Sequence, residues 1–280
     1  MEFLGRLNQA LQKNTKAKSV KSTKSLNNFF DFGFRKNALN KAKLENDAFQ
    51  PLSDVQAVGL APSNYATNPL PVDITQTLAL NYPTEFINRY VNDAVLSNAI
   101  RINPEITRIL KENGLKVEYN LENVKSISNS HLIPTSKKAQ TIYEKMGHSK
   151  NEENYLHLTQ AALLHDIGKA FIPEYILNKK GMLTPSERKI IELHNQLSYE
   201  ILKTTDLDKK VAKIAYEHHN YNGDVQPNQE NQALTIADVY SALLERRPYK
   251  KPMSSLCAKA ILYDMGAKKQ IDLKYINFVN

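Results

Sequence analysis

From residue 84 onward, apolar positions recur at the three-and-four spacing of a helix buried on one side. The segment "PTEFINRYVNDAVLSNAI" predicts one helix capped by Thr84. "NPEITRILKENG" predicts another, with Asn103 as cap, Pro104 in the first position and Gly114 as the stop. Beyond residue 126 one helical pattern follows another with little strand alternation. "TPSERKIIELHNQLSYEIL" opens on a capping box from Thr184 to Glu187, with Pro185 at its first position. The expected fold class is therefore all-α.

The first 83 residues read differently. Residues 1–50 are rich in Lys, Asn and Ser and carry a "FFDFGF" patch, which suits a loosely ordered arm with a short docking motif or a patch that packs on the body. Pro51, Pro62, Pro69, Pro71 and Pro83 then interrupt the chain, so an irregular linker is expected up to residue 83. This gives three expected parts: a basic arm and linker over 1–83, a small helical prelude over 84–125, and a helical body over 126–280.

Charge and cysteine usage narrow the chemistry. The net charge is +8, and ten Lys/Arg against four Asp/Glu in residues 1–50 place most of it in the arm. Solvated lysines on an extended arm do not by themselves make a nucleic-acid binder. The single cysteine, Cys257, excludes an internal disulfide framework and a cysteine-rich zinc module, so any bound metal must take nitrogen and oxygen ligands. No apolar run is long enough for a membrane span and no secretory leader is visible, so a cytoplasmic protein is expected.

Four helical stretches nevertheless carry polar groups where leucines belong. They present His165 with Asp166, His194, His218 with His219, and Asp238. His194 shares a stripe with Ile190, Leu197 and Ile201, and Val211 and Ile214 lead onto His218 in the same way. Burying such groups unpartnered costs a few kcal/mol each. A shared metal centre would satisfy them together, with Asp166 free to bridge two ions. Lys169, three and four residues beyond Asp166 and His165, is placed on their face and suits a substrate phosphate. Thiol-free, histidine-rich ligation favours iron, manganese or zinc over magnesium. His148 and His157 lack such company and read as surface or hydrogen-bonded residues.

The ordered set H…HD…H…HH…D resembles the HD-domain metal-dependent phosphohydrolases, and more narrowly the HD-GYP cyclic-dinucleotide phosphodiesterases. The likeness rests on "LLHDIGKAFIPEYIL", "HNQLSYEIL", "HHNYNGDVQP" and "ADVYSALLERRPYKKPMS". It implies an HD-type helical bundle over about 127–280, with His165, Asp166, His194, His218, His219 and Asp238 as metal ligands. It adds His131, about sixteen residues before Gly147, although Pro134 makes that helix start unusual. In three-metal members a glutamate stands one turn before this histidine, where Ile127 lies here, so two ions are expected, iron or manganese by resemblance. Lys169, Arg247 and Lys250 match positions that bind substrate phosphates.

The resemblance implies hydrolysis of a cyclic dinucleotide, cyclic di-GMP foremost, by two ions activating a shared water, with Asp166 and Lys169 in the catalytic set. Two departures stand out. The glycine-tyrosine-proline tripeptide is replaced within "NYNGDVQP", and Ser241 stands where the family commonly has a second aspartate. The competing readings are an HD phosphohydrolase for another nucleotide, and a catalytically silent metal- and nucleotide-binding module that reaches a protein partner through residues 1–83.

Overall fold

The computed structural model describes residues 72–219, 228–246 and 251–279, and every regular element among them is helical. The FFDFGF patch, the rest of residues 1–71, residues 220–227, and Arg247 to Lys250 lie outside the described residues. We number the helices α1 Val72–Asn81, α2 Pro83–Tyr90, α3 Asp93–Ile102, α4 Pro104–Glu112 and α5 Glu122–Lys125. A π-helical turn, Ser128–Leu132, leads into α6 Ile133–Lys145. Then follow α7 Glu153–Leu164, a 3-10 turn Ile167–Phe171, α8 Glu174–Leu177, α9 Pro185–Leu202, α10 Lys209–Glu217, α11 Gln229–Leu244, α12 Ser255–Ala267 and a closing 3-10 turn Leu273–Phe278.

Two local expectations change. Helix α1 occupies part of the stretch expected to be irregular, because the residues between Pro71 and Pro83 contain no proline to stop it. The single helix expected from Thr84 divides into α2 and α3. Asn92 accepts a hydrogen bond from the Val95 amide at 3.0 Å and so caps a new helix in mid-segment, and the first helix starts at Pro83 rather than after Thr84. Other signals hold: Asn103 caps α4, Gly114 takes a φ of +70° beyond its end, and the Thr184–Glu187 box opens α9.

Helix α7 is the axis of the body. Leu158, Ala161, Ala162, Leu163 and Leu164 are buried all round it, as in a helix enclosed by others. It packs against α6, α10 and α11, and also meets α1 and α2. Phe86, Ile87, Tyr90, Leu96, Ile106 and Leu110 from α2 to α4 join Leu163, Leu164, Leu197 and Ile201 in one hydrophobic cluster. Each such side chain contributes about 1.5–3 kcal/mol by leaving water. Polar ties reinforce the contact: Arg89 and Tyr90 both donate to Asp206 at 2.9 Å, and Asn103 donates to the Glu200 carboxylate at 2.8 Å. No helix among the described residues is long and apolar enough to cross a membrane.

Candidate metal centre

Where α7 ends, the chain delivers His165 and Asp166 to the interior and then tightens into the 3-10 turn. Lys169 therefore does not lie on a continuation of α7, as the spacing suggested. It reaches Asp166 across the turn, with Nζ 2.6 Å from Oδ2. The change of helix type follows from close packing. At Gly168 a Cβ would come within 2.2 Å of the His194 carbonyl oxygen and 2.7 Å of the Ser198 nitrogen, so only glycine lets the turn lie against α9. Ser198 holds it there, donating from Oγ to the His165 carbonyl at 2.6 Å and accepting from the Gly168 amide at 2.9 Å. From the other side Asn123 donates to the carbonyls of Lys169 at 3.2 Å and Ile172 at 2.9 Å.

His194 comes from the middle of α9, His218 and His219 from the end of α10, Asp238 from the middle of α11 and His131 from the π turn. The seven side chains converge. His131 Nε2 lies 3.0 Å from Asp238 Oδ1 and 3.5 Å from Asp166 Oδ2. His165 Nε2 lies 3.4 Å from Asp166 Oδ2, and His194 Nε2 lies 3.3 Å from Asp166 Oδ1. His219 Nε2 is 3.9 Å from Asp238 Oδ2, and the His165 and His218 rings are 4.8 Å apart. Three overlapping groups can each hold an ion: His194, His218 and His219; His131, His165 and Asp166; His165, His218 and Asp238. Neither His148 nor His157 belongs to them.

Three of the imidazoles are oriented by their own helices. His165 Nδ1 bonds to the Ala162 carbonyl at 2.9 Å, His194 Nδ1 to that of Ile191 at 2.6 Å, and His218 Nδ1 to that of Ala215 at 2.6 Å. A carbonyl only accepts, so each Nδ1 carries the proton and each neutral ring turns a bare Nε2 lone pair inward. Those Nε2 atoms, with His131 Nε2, are buried and have no hydrogen-bond partner. Buried acceptors need a donor or a Lewis acid, and these three, with His131 Nε2 and two carboxylates beside them, fit divalent ions.

For three of the histidines and both carboxylates, electrostatics point the same way. Burial holds His194 down at about 3 and His219 at about 4, against the pull of Asp166 and Asp238, and burial with the neighbouring His219 and His165 pushes His218 well below the usual histidine range. For His165 burial also opposes the charged form, but Asp166 and Asp238 outweigh it and raise its pKa. Burial disfavours ionisation of Asp166, yet Lys169 and the surrounding histidines hold it well below the usual carboxylate range. Asp238 is held down likewise, against its own burial, by His131 and His165. Neutral imidazoles and ionised carboxylates are the ligating forms.

Sequence reasoning missed two groups here. Ser198 was in view only as part of "HNQLSYEIL", and nothing in the sequence ties it to the turn thirty residues earlier. Glu245 brings Oε2 to 3.6 Å from His131 Nδ1, from the far end of α11. Ser241, one of the two departures from the family pattern, is buried with Oγ unpartnered.

A family model described as an HD domain matches residues 120–274. Among curated proteins, the chain is similar to the cyclic di-GMP phosphodiesterase response regulator RpfG of Xanthomonas campestris, 35% identical over 136 residues, covering 45% of this chain and 35% of that protein. A cyclic di-GMP phosphodiesterase of Thermotoga maritima is 37% identical over 122 residues, covering 40% of this chain and 33% of that protein. The 3'3'-cGAMP-specific phosphodiesterase 3 of Vibrio cholerae is 32% identical over 122 residues, covering 40% and 26%. The chain thus spans about a third or less of the length of these relatives.

Proposed function

Since the chain belongs to the HD domain family, we propose that it is a metal-dependent phosphodiesterase whose substrate is a cyclic dinucleotide, with cyclic di-GMP the first candidate. The observation that carries this reading is the convergence of four unpartnered imidazole Nε2 atoms on the carboxylates of Asp166 and Asp238. The substrate class rests on similarity to phosphodiesterases for both cyclic di-GMP and 3'3'-cGAMP.

His131, His165, Asp166, His194, His218, His219 and Asp238 would hold two divalent ions, iron or manganese. Such ions supply Lewis-acid activation of water and neutralise charge at phosphorus. The chain's own residues do the rest. Asp166, ionised between His165 and His194, sits where it can ligate on both of its oxygens. The Ala162, Ile191 and Ala215 carbonyls hold the Nδ1 protons of three imidazoles and so aim their Nε2 atoms inward. Lys169, 16% exposed where Asp166 is 1% exposed, puts a cation between the buried cluster and solvent, placed for a phosphate oxygen. Arg247 and Lys250 are proposed for the same clamp.

The buried, unpartnered Ser241 supports a second reading, a module that binds metal and nucleotide without turnover. One experiment separates the two: anaerobically purified protein loaded with iron or manganese is incubated with cyclic di-GMP and other cyclic dinucleotides, beside Asp166→Ala, and products are resolved by chromatography. Linear dinucleotide or mononucleotide formed only by the unsubstituted protein supports the enzyme. A metal-loaded protein inert toward every substrate overturns it in favour of the silent module.

A further inference from the structure

His131 is oriented differently from its companions. His165, His194 and His218 each bond through Nδ1 to the carbonyl three residues back, a partner that regular helix geometry provides. His131 sits in the π turn, where the amides of His131 and Leu132 share the Ile127 carbonyl at 2.8 and 3.1 Å, and the Ile133 amide takes the Ser128 carbonyl. The ring is 1% exposed and its Nδ1 finds no carbonyl. Nothing in its own helix decides which nitrogen bears the proton.

Helix α11 supplies what the turn lacks. Asp238 and Glu245 are seven residues apart, two turns along one face. Asp238 meets the Nε2 edge of the ring at 3.0 Å, and Glu245 Oε2 lies 3.6 Å from the Nδ1 edge. Glu245 closes α11, its amide bonded to the Ser241 carbonyl, and its carboxylate is 14% exposed. An approach about half an ångström closer would make this a hydrogen bond.

We propose that Glu245 is the positioning residue of His131: its carboxylate accepts the Nδ1 proton, fixes the tautomer that leaves Nε2 bare, and so completes the fourth aimed imidazole of the cluster. A carboxylate behind the ring also makes Nε2 more basic, which a carbonyl does less well. The inference rests on reading the cluster as a metal centre, and Glu245 acts only through His131.

The test uses the full-length chain loaded with Mn(II) and challenged by a competing chelator, with the metal retained measured for the unsubstituted protein, Glu245→Ala, Glu245→Gln, His131→Ala and the double variant. Glu245→Ala is expected to weaken metal retention about 10- to 100-fold. Glu245→Gln should restore most of it, since its amide oxygen still accepts from Nδ1. Glu245→Ala should add nothing once His131 is gone. If that variant fails to fold, Glu245→Met, of similar length and without an acceptor, takes its place. Unchanged retention in Glu245→Ala beside a weakened His131→Ala, or an equal loss from Glu245→Ala in both backgrounds, overturns the role of Glu245 alone. Unchanged retention in His131→Ala overturns the ligand assignment of His131 as well.

Discussion

The Ser198 hydroxyl and the His165 carbonyl are hydrogen-bonded at 2.6 Å, and the same hydroxyl accepts the Gly168 amide at 2.9 Å. One side chain of α9 thus fastens the turn that carries His165 and Asp166 to the helix that carries His194. Ser198→Ala leaves a buried amide and a buried carbonyl without this partner, and is expected to cost about 1–3 kcal/mol in urea unfolding. Gly168→Ala should be worse, because its Cβ meets backbone rather than a movable side chain. The yield of folded protein is the measure there.

Lys169 and Asp166 should separate metal binding from turnover. Asp166→Ala is expected to remove bound metal and activity together. Lys169→Ala should keep the metal, since an ammonium cannot be a ligand, while kcat falls about 100-fold, the scale for losing one group that stabilises transition-state charge. Metal analysis and steady-state rates on the same samples check both. Loss of metal from Lys169→Ala would mean that its 2.6 Å contact holds Asp166 in place.

Asp206 tests how far α2 belongs to the body. Arg89 and Asp206 are 8% and 10% exposed, and burial together with Asp206 pushes the Tyr90 phenol up, so the phenol stays a donor. Asp206→Ala takes the carboxylate away from a buried guanidinium and a buried phenol and is expected to cost about 3 kcal/mol in urea unfolding. The folded fraction should retain metal like the unsubstituted protein.

His148 should give stability a pH dependence of its own. Burial opposes its charge, but Gln229 and Glu152 outweigh that and raise its pKa in the folded chain. A raised folded-state pKa means stabilisation that is complete below the unfolded value near 6.5 and lost as pH rises through the folded one. His148 is 26% exposed, so the increment should be no more than about 1 kcal/mol. Because His194, His218 and His219 titrate in the opposite sense, the measure is the difference in urea unfolding free energy between the unsubstituted protein and His148→Ala, which should be larger at pH 5.5 than at pH 8.

Much of this was legible because helices advertise themselves locally. The Thr184–Glu187 box and the Asn103–Pro104 start are contained within four residues, and both form as read. His165, Asp166, His194, His218, His219 and Asp238 were legible for another reason, that an apolar stretch carrying them must bury them, whereas His131 followed only from the family resemblance. What stayed hidden depended on contacts across the fold. The ties of Ser198 to His165 and of Glu245 to His131 join residues 33 and 114 positions apart. Asn92, with no proline or glycine beside it, gave no warning that it would end one helix and begin another.

The unusual start at Pro134 also finds its cause, since proline has no amide to continue the ladder and the chain before it widens to five residues in the turn. That widening makes the number of residues between Asn123 and Pro134 part of the specification, alongside their kinds. Shortening the stretch by one would return it to ordinary pitch with the flanking segments nearly in place, and would offer His131 the carbonyl three residues back that its companions use. A related chain with every ligand intact but one residue fewer would spell the same motif and aim its first histidine by another device.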